Sequence, residues 1–401
     1  MSVPKLRFEE FQNSWKIFRL EEIASVERGK FSVRPRNDPK YFGGHLPFIQ
    51  TGDVSNANIF VKNYSQTLNY AGIEVSRVFP EGTILITIAA NIGDTAITQF
   101  QVACPDSLVG INPNTNITNT YFLKYVLDLS KETLDSQATQ NAQKNINLQI
   151  LRPLPCCLPV LEEQTKIATF LFAVDEKIAQ LSRKHELLQQ YKQGMIQQLF
   201  SQKLRFKDDK GEDFPEWEMI KLGEFLIQYT EKSIYHNQYP VLTSSRSGIF
   251  FQKDYFAGQD IASEDTTGYN VVPYDYFTYR HMSDDLTFKF NINNLCDYGI
   301  VSTLYPVFTI NKKRLNNYFL QVILNNGTEF KSFAMLQKQG GSRTYMYFSK
   351  LVNLNLTVPS LDEQAKITNF LTAIDNKIDT ITKQLQQARE WKQGLLQQMF
   401  V

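Results

Sequence analysis

A stretch of 42 residues occurs twice in this chain, at residues 159–200 and again at residues 359–400. The two copies align without a gap at a constant offset of 200 residues, and 18 of the 42 aligned pairs are identical. Solenoid repeats recur every ~20–50 residues, so a period this long indicates two copies of a domain-sized unit. Each copy of that unit ends in the repeated stretch.

The repeated stretch has the apolar pattern of a long amphipathic helix, with spacings that alternate between four and three residues. The pattern runs through Ile167, Leu171, Val174, Ile178 and Leu181 in the first copy, and through Ile367, Leu371, Ile374, Ile378 and Ile381 in the second. In water such a heptad seam has to be buried against another helix, and the other copy is the simplest partner. We interpret His185, which also lies on the seam, as a tolerated polar residue.

The expected helices are about 40 residues long, which corresponds to a rod of roughly 60 Å at about 1.5 Å per residue. Ser360-Leu361-Asp362-Glu363 has the sequence of a capping box, and Glu162 and Glu163 place negative charge on the first turn of the other helix. Gly194 and Gly394 are expected to weaken the helices near their ends. One such helix could simply pack on a globular core, whereas two at equal offset favour a paired spacer.

The remaining segments predict two mixed α/β head domains. We place the boundaries at 1–157 for the first head, 158–200 for the first helix, 201–357 for the second head and 358–401 for the second helix. Both heads open with the sequence KLRF, at residues 5–8 and 203–206, and helix-like segments follow at 20–26 and 222–227. Strands are predicted at 46–49, 58–61, 82–88 and 95–97, and then at 238–243, 269–277 and 299–307. Further helices are predicted at 121–128 and 315–324.

Composition limits the function classes. The chain has 42 basic and 41 acidic residues, so a nucleic-acid-binding role requires its basic residues to be gathered on one face. Its four cysteines form no CxxC pattern and are expected to be buried thiols in a reducing cytosol. The start of the chain lacks a signal-like apolar stretch, and the longest apolar run, at residues 84–90, is too short for a bilayer. We therefore expect a cytoplasmic protein without a membrane segment.

Sequence motifs for catalysis are missing. The chain contains no G-x-x-x-x-G-K-[ST] or G-x-G-x-x-G phosphate loop and no H-E-x-x-H metal motif. It also lacks the Asn-Pro-Pro-aromatic phrase of an amino-methyltransferase, and we read Asn112-Pro113-Asn114 as a turn. Pro105-Asp106 is read as a strand end, because no acid-x-lysine pair lies near it. These observations predict a protein without catalysis, metal or cofactor of its own.

The repeated helix resembles the specificity subunits of type I restriction-modification systems. The resemblance rests on the phrase Leu-Pro-x-Leu-x-Glu-Gln-x-Lys-Ile-x-x-Phe-Leu-x-x-x-Asp-x-Lys-Ile, which ends in Lys-Gln-Gly-x-x-Gln-Gln-x-Phe. The phrase occupies residues 158–178 with 192–200, and again 358–378 with 392–400, where Val and Asp362 replace Leu and Glu. The first head is similar to the family's recognition domain at Gly29-Lys30, 41–49 with Asp53, 82–85, 92–94 and 143–146. The second head departs from it, keeping 239–242 and a variant ending at 340–345, so its target is expected to differ.

The resemblance implies an α+β protein with two target-recognition domains, separated by two long helices that pack as an antiparallel coiled coil. It further implies a DNA reader in which each head recognises one half of a two-part, asymmetric double-stranded target. The helices then set the spacer and dock two methylation subunits, and restriction subunits join. S-adenosylmethionine, ATP and Mg are expected in those partners.

Candidate DNA-contacting residues are polar side chains on loops, because Arg, Lys, Asn and Gln pair with base edges while Lys, Ser and Thr position phosphates. In the first head they are Lys30, Arg34, Arg36, Gln50, Asn91 and Lys144. In the second they are Ser245, Arg246, Arg280, His281, Arg343 and Tyr345. A coiled-coil assembly protein whose heads bind other proteins is the alternative, and the near-zero net charge favours it slightly.

Overall fold

The computed structural model describes residues 3–89, 91–138, 145–258, 264–338 and 343–400. The chain forms two compact units: unit 1 comprises Met1–Ser182 with Lys383–Val401, and unit 2 comprises Arg183–Thr382. Helices and mainly antiparallel sheets occur together in each unit, so the predicted α+β class is confirmed. Each of the two long helices begins in one unit and ends in the other.

The head of unit 1 consists of short strands and short helices. Its strands are β1 (Lys16–Arg19), β2 (Ala24–Arg28), β3 (Phe42–Phe48), β4 (Phe60–Val61), β5 (Gln66–Leu68), β6 (Val78–Phe79), β7 (Ile84–Thr87), β8 (Thr95–Thr98), β9 (Val102–Ala103), β10 (Leu108–Pro113) and β11 (Pro155–Leu158). Its helices are α1 (Leu20–Ile23), α2 (Thr51–Ser55), α3 (Tyr70–Glu74), α4 (Thr120–Leu129), α5 (Lys131–Ser136) and α6 (Leu148–Leu151), with a 3-10 turn at Pro39–Tyr41. The first long helix, α7, covers Leu161–Phe200.

Two sheets form the scaffold of this head. One has the strand order β2-β10-β7-β8-β4 and the other β5-β3-β9-β6, while β1 pairs separately with β11. Every residue of β7 and β8 is buried, because α1 and α4 cover one side of the first sheet, while α2 and the second sheet pack on the other. Ile84 and Ile86 of β7 belong to one apolar cluster and Leu85 to another, as expected when alternate side chains point to opposite faces.

Unit 2 has a head of the same class with a different strand arrangement. Its strands are β12 (Glu218–Lys221), β13 (Leu226–Tyr229), β14 (Leu242–Ser245), β15 (Gly248–Phe251), β16 (Asn270–Pro273), β17 (Phe277–Thr278), β18 (Met282–Ser283), β19 (Asn291–Ile292), β20 (Tyr298–Val301), β21 (Val307–Ile310), β22 (Thr344–Tyr345) and β23 (Asn355–Val358). Its helices are α8 (Gln252–Tyr255), α9 (Asn317–Asn326), α10 (Thr328–Leu336) and α11 (Phe348–Leu351), with a 3-10 turn at Leu222–Glu224, and the second long helix, α12, covers Leu361–Met399. One sheet has the order β13-β21-β17-β19, and four two-stranded ladders pair β12 with β23, β14 with β15, β16 with β20 and β18 with β22.

The two long helices pack against each other in opposite directions within each unit. In unit 1 a buried cluster unites the start of α7 with the end of α12 through Ile167, Leu171, Val174, Leu395 and Met399. In unit 2 the reciprocal cluster contains Ile367, Leu371, Ile374, Ile196 and Leu199. Ile178 and Ile378 are half-buried, while Leu181 and Ile381 are buried. Both clusters also contain head residues, so the seam faces a head as well as the other helix.

A buried glutamate in each helix motif binds an arginine from the KLRF segment of its head. Arg7 donates from Nε and Nη2 to the two oxygens of Glu163 at 2.7 Å each, and Arg205 Nη2 donates to Glu363 Oε2 at 2.9 Å. Both glutamates are 0% exposed. The predicted capping box at Ser360 is therefore only half formed: its Oγ accepts from Glu363 N at 3.4 Å, but the Glu363 carboxylate faces the arginine.

The glutamine that follows each glutamate fixes the start of a head helix. Gln164 Oε1 accepts from the backbone N–H of Asn119, the N-cap of α4, at 3.0 Å. Gln364 makes the same bond to Asn316, the N-cap of α9, at 2.9 Å. Since both glutamines are fully buried, their amides satisfy backbone groups that water cannot reach.

A lysine near the end of each long helix reaches an aspartate of the other. Lys392 Nζ lies 2.6 Å from Asp175 in unit 1, and Lys192 Nζ bonds Asp375 in unit 2. Each aspartate also accepts a hydrogen bond from the tyrosine of a head helix, which in unit 1 is Tyr125 at 2.6 Å. The identical Asp and Lys positions of the two copies therefore hold the helices together.

The helix-like segments expected at 20–26 and 222–227 are wrong in their second halves. Helix α1 ends at Ile23, and β2 then pairs with β10. In the second head a 3-10 turn leads into β13, which pairs with β21. The sheet hydrogen bonds formed with a distant strand outweigh the local helical pattern.

Two further expectations concern the cysteines and membrane segments. Cys104 and Cys156 are buried, but Cys157 and Cys296 are only half-buried, so the expectation of buried thiols holds for two of the four. Within the described residues, none of the helices combines the length and the apolar character needed to cross a bilayer.

Candidate nucleic-acid interface

Basic side chains of the first head gather around the loop between β9 and β10. Arg28, the last residue of β2, donates from Nε to the backbone oxygen of Asp106 at 2.5 Å. Arg36 donates from Nη2 to the carboxylate of the same aspartate at 2.8 Å. A Cβ on Gly29 would lie 2.2 Å from the carbonyl oxygen of Pro105, so only glycine allows the chain after β2 to pass this close to the β9–β10 loop. Asp106 thus links Arg28, at the end of β2, with Arg36, which lies on the loop that follows.

Arg77 extends this basic cluster from another part of the chain. Its Nη1 donates to the carbonyl oxygen of Arg28 at 2.7 Å, and its Nε lies 3.1 Å from Glu27. The backbone N–H of Arg77 donates to the carbonyl oxygen of Lys30 at 3.2 Å, which places the exposed Lys30 side chain at the cluster. Arg34 lies on the same loop as Arg36 and is exposed.

The structure places two other candidates of the first head, Gln50 and Asn91, at the ends of α2. Gln50 is the residue before this helix, and its amide donates to Gln66 Oε1 at 3.0 Å. Asn91 donates to the hydroxyl of Ser55, the last residue of α2, at 3.3 Å. Lys144 lies outside the described residues. The first head therefore presents an arginine cluster and a separate polar patch.

In the second head, two arginines are brought together by consecutive aspartates. Arg246 lies in the turn of the β14–β15 hairpin and donates from both terminal nitrogens to Asp285, at 2.7 and 2.8 Å. Arg343, directly before β22, donates from Nε to Asp284 at 2.9 Å. Ser245 supports the hairpin turn, because its hydroxyl accepts from Ser247 N and donates to the carbonyl oxygen of Gly248.

Stacked aromatic rings lie beside this arginine pair. The rings of Tyr345 and Tyr347 are 5.7 Å apart and nearly parallel, and the His281 ring stacks on Tyr347 at 4.9 Å. The tyrosines are 37% and 47% exposed, whereas His281 is 9% exposed and its Nδ1 bonds the carbonyl oxygen of Leu304. His281 stays a predicted DNA contact, and in the structure its ring is largely covered by its neighbours and stacks on the exposed Tyr347. Arg280 is exposed; burial raises the pKa of Tyr305, and the positive charge of Arg280 opposes that rise.

Sequence reasoning missed several residues of these two surfaces. Arg77 and Asp106 are distant from the first loop in sequence, and only the sheet brings them there. Tyr347 could have been predicted from the sequence, because it lies two residues after Tyr345, and residues two apart on an extended segment share a face. Among the described residues, no group of three or more His, Cys, Asp or Glu side chains is arranged to hold a metal ion. Exposed guanidinium groups beside aromatic faces are suited to base edges and phosphates.

The family model of the type I restriction modification DNA specificity domain matches this chain twice, over residues 12–190 and 215–390. The chain is 22% identical over 415 residues to the type I restriction enzyme MjaVIII specificity subunit of Methanocaldococcus jannaschii, with 95% of this chain and 91% of that protein covered. The putative type I restriction enzyme MjaX specificity subunit of the same organism is 24% identical over 436 residues, with 98% and 94% covered.

Solved structures show the same fold. The crystal structure of a type I restriction-modification S subunit from M. genitalium superimposes with a TM-score of 0.62 at 16% identity, covering 100% of this chain and 99% of that one. A second structure, described as showing the structural basis of complex assembly and conformational transition of the type I R-M system, superimposes with a TM-score of 0.57 at 15% identity. The match covers 98% of each chain. Because the two family matches together span far more than half of the sequence, this chain belongs to the specificity subunits of type I restriction-modification systems.

Proposed function

We propose that this chain is the non-catalytic reader of a type I restriction-modification complex and that each head recognises one half of a two-part asymmetric DNA target. The observation that carries the proposal is the presence of two specificity domains in one chain. Each is joined to its long helix by the same Arg–Glu and Gln contacts. A duplicated attachment combined with different surface loops is what two different half-sites require.

The candidate interfaces support base reading by different side chains in the two heads. The first offers Arg28, Lys30, Arg36 and Arg77, and the second offers Arg246 and Arg343 beside stacked tyrosines. Arginine is the side chain that most often pairs in a bidentate manner with guanine in the major groove. Since the two sets come from unrelated loops, we expect the half-sites to differ.

We assign two tasks to the long helices: setting the unspecified gap between the half-sites and docking one methylation subunit at each unit. Docking is supported by an exposed aromatic residue at the same repeat position of both helices. Trp391 is 55% exposed and contacts Phe170 edge-on at 6.0 Å, and Tyr191 is 50% exposed and contacts Phe370 at 6.5 Å. Exposed aromatic side chains are enriched at protein interfaces.

The chemistry belongs to partners in this proposal. Methylation subunits bind S-adenosylmethionine and methylate adenine, and restriction subunits use ATP and Mg for cleavage. The complex acts on cellular or invading DNA in the cytoplasm. This chain contributes sequence choice and geometry.

The experiment is to co-express the chain with its methylation subunit and to map adenine methylation across the host genome by single-molecule sequencing. We expect a two-part motif with a fixed gap that disappears when the chain is omitted. If no methylation is found, the methylation subunit is exchanged for an active relative. Co-purification that is still not accompanied by sequence-specific methylation would contradict the reader role. It would favour an assembly protein instead.

A helix insertion tests the division of labour between heads and helices. One heptad inserted after Ser182 and another after Thr382 keeps both seams in register and adds about 10 Å to each helix. At about 3.4 Å per base pair, the gap in the methylated motif should grow by about 3 base pairs while both half-sites stay the same. Changed half-sites with an unchanged gap would contradict this division.

Substitution of the exposed aromatic residues tests docking. Trp391→Ala and Tyr191→Ala should each lower the amount of methylation subunit that co-purifies, and the double variant should abolish it. Leu187, which is 47% exposed on α7, provides the control Leu187→Ala. Equal binding by the double variant and the control would remove these two positions from the docking surface.

A further inference from the structure

The two arginines of the second head are held by aspartates, and within the described part of the chain most of their N–H donors have no hydrogen-bond acceptor. Among the hydrogen bonds formed with described residues, Arg246 uses one N–H of each terminal nitrogen on Asp285, and Arg343 uses Nε on Asp284. A guanidinium group carries five N–H donors. The side chains of Arg246 and Arg343 are 60% and 52% exposed, so their remaining donors can reach a ligand.

Asp285 is itself fixed in place. Its Oδ1 accepts from Thr287 N at 3.1 Å and from the hydroxyl of Ser283 at 2.9 Å, in addition to Arg246. The backbone bond from Thr287, the Ser283 hydroxyl and Arg246 together hold the pKa of Asp285 well below its usual range. The residue is therefore a carboxylate whose orientation is set by its own loop, and it fixes the arginine in turn.

A carboxylate beside an arginine affects phosphate and base contacts differently. A phosphate bound to that arginine has to lie next to a second negative charge, which weakens the contact. Guanine offers the neutral acceptors O6 and N7 instead, and a pre-oriented guanidinium loses less side-chain freedom when it binds them. Pairs of this kind therefore favour base edges over the DNA backbone and supply discrimination by repulsion as well as attraction.

We propose that Asp284 and Asp285 are positioning residues that orient Arg343 and Arg246 for base reading and keep them off phosphates. This inference rests on the proposed function, since it requires the second head to read DNA. It identifies Arg246 and Arg343 as base-contacting side chains of one half-site. It also assigns a role in specificity to two acidic residues on a surface that binds a polyanion.

The test uses the purified complex of the full chain with its methylation subunit and the target found by methylation mapping. Methylation rates are measured on the target and on every single-base variant of both half-sites, for the wild type, Asp284→Asn and Asp285→Asn. Non-specific affinity is measured with a random-sequence duplex as a function of salt. Glu218→Gln is the matched control, because Glu218 pairs with Arg314 at 2.7 Å on β12 of the same unit.

We expect each Asp→Asn variant to lose about 10-fold of its discrimination at one or two positions of a single half-site. The other half-site should be unaffected. Non-specific binding should become tighter, with a slope of log K against log salt steeper by about 0.9 for each arginine released to a phosphate. Arg246→Lys should lose discrimination at the same base position as Asp285→Asn, which a general loss of structure cannot produce.

Unchanged discrimination in both Asp→Asn variants, or an equal loss on cognate and altered targets, would overturn the inference while the proposed function stands. A wild-type complex without sequence-specific methylation would overturn both. The two failures are distinguishable, because only the second appears in the unmodified chain. Discrimination lost equally in Glu218→Gln would also overturn the inference, since that pair lies outside the candidate interface.

Discussion

The Lys–Asp salt bridge of the long helices occurs once in each unit, with very different burial. Asp175 is 2% exposed, accepts a hydrogen bond from Tyr125 and pairs with Lys392. Asp375 makes the corresponding pair with Lys192 but is 32% exposed. The two copies therefore provide a comparison in which residue types and geometry are alike and access to water differs.

Removing the lysine should cost far more in unit 1 than in unit 2. Lys392→Met leaves a buried carboxylate without its counter-charge, which costs about 3–5 kcal/mol. Lys192→Met leaves Asp375 in contact with water, which screens its charge, so the expected loss is about 1 kcal/mol. The two lysines are similarly exposed, at 23% and 24%. The difference between the two stability losses therefore comes from the burial of the aspartate that is left unpaired.

Urea unfolding of the purified chain measures the difference, with hydrogen exchange and mass spectrometry to assign each transition to unit 1 or unit 2. With a slope of about 3 kcal/mol per molar urea, the midpoint of unit 1 should fall by about 1–1.7 M in Lys392→Met. The midpoint of unit 2 should fall by about 0.3 M in Lys192→Met. The double variant Asp175→Asn with Lys392→Met should regain most of the loss, because the buried charge is gone. Equal losses in the two lysine variants, or no recovery in the double variant, would refute the reasoning from burial.

Three further predictions concern the helices and the thiols. A Cβ on Gly194 or Gly394 meets nothing within 4 Å. Gly→Ala at either position should therefore stabilise the isolated chain by about 0.5–1 kcal/mol, as measured by thermal unfolding. A loss of stability would show that the added methyl group is not accommodated there. Gln164→Leu should lower the free energy of unfolding by about 3 kcal/mol, because four hydrogen bonds of its buried amide are lost. Chemical unfolding measures the loss, and Gln149→Leu at an exposed position is the control. Burial raises the pKa of both Cys104 and Cys296, but Cys296 is only half-buried and can be reached by a reagent. At pH 8 a disulfide reagent should therefore modify Cys296 and spare the buried Cys104, as measured by mass spectrometry of the labelled peptides.

The long helices could be predicted from the sequence because their pattern is local. Spacings of four and three predict a helix wherever they occur, and α7 and α12 begin at Leu161 and Leu361. Which polar residues of the motif are buried could not be predicted. Glu163 and Asp175 are charged helical residues that a sequence alone places in solvent, and they are buried only because an arginine from the first residues and a lysine from the last helix reach them.

The candidate interface was predicted less completely, for the same physical reason. Arg36 and Arg246 lie in loops that glycine and proline mark in the sequence. Their partners, Asp106 and Asp285, are 70 and 39 residues away along the chain, and strand pairing brings them close. Arginine–aspartate pairs of this kind have no local sequence signature, so the sequence indicates one member of each pair and not the other.

Burial also explains why the helix motif is alike in the two copies while the heads differ. Its identical polar residues, Glu, Gln, Asp and Lys, each bind a specific group of a head or of the other helix, and a change at any of them leaves a buried polar group without a partner. The arginines of the candidate interface instead pair with aspartates that are about half exposed. Replacing either partner leaves the other in contact with water, which costs little stability. Stability therefore constrains the attachment of each head to its helix, whereas the exposed loops of the candidate interface can change sequence without disturbing that attachment.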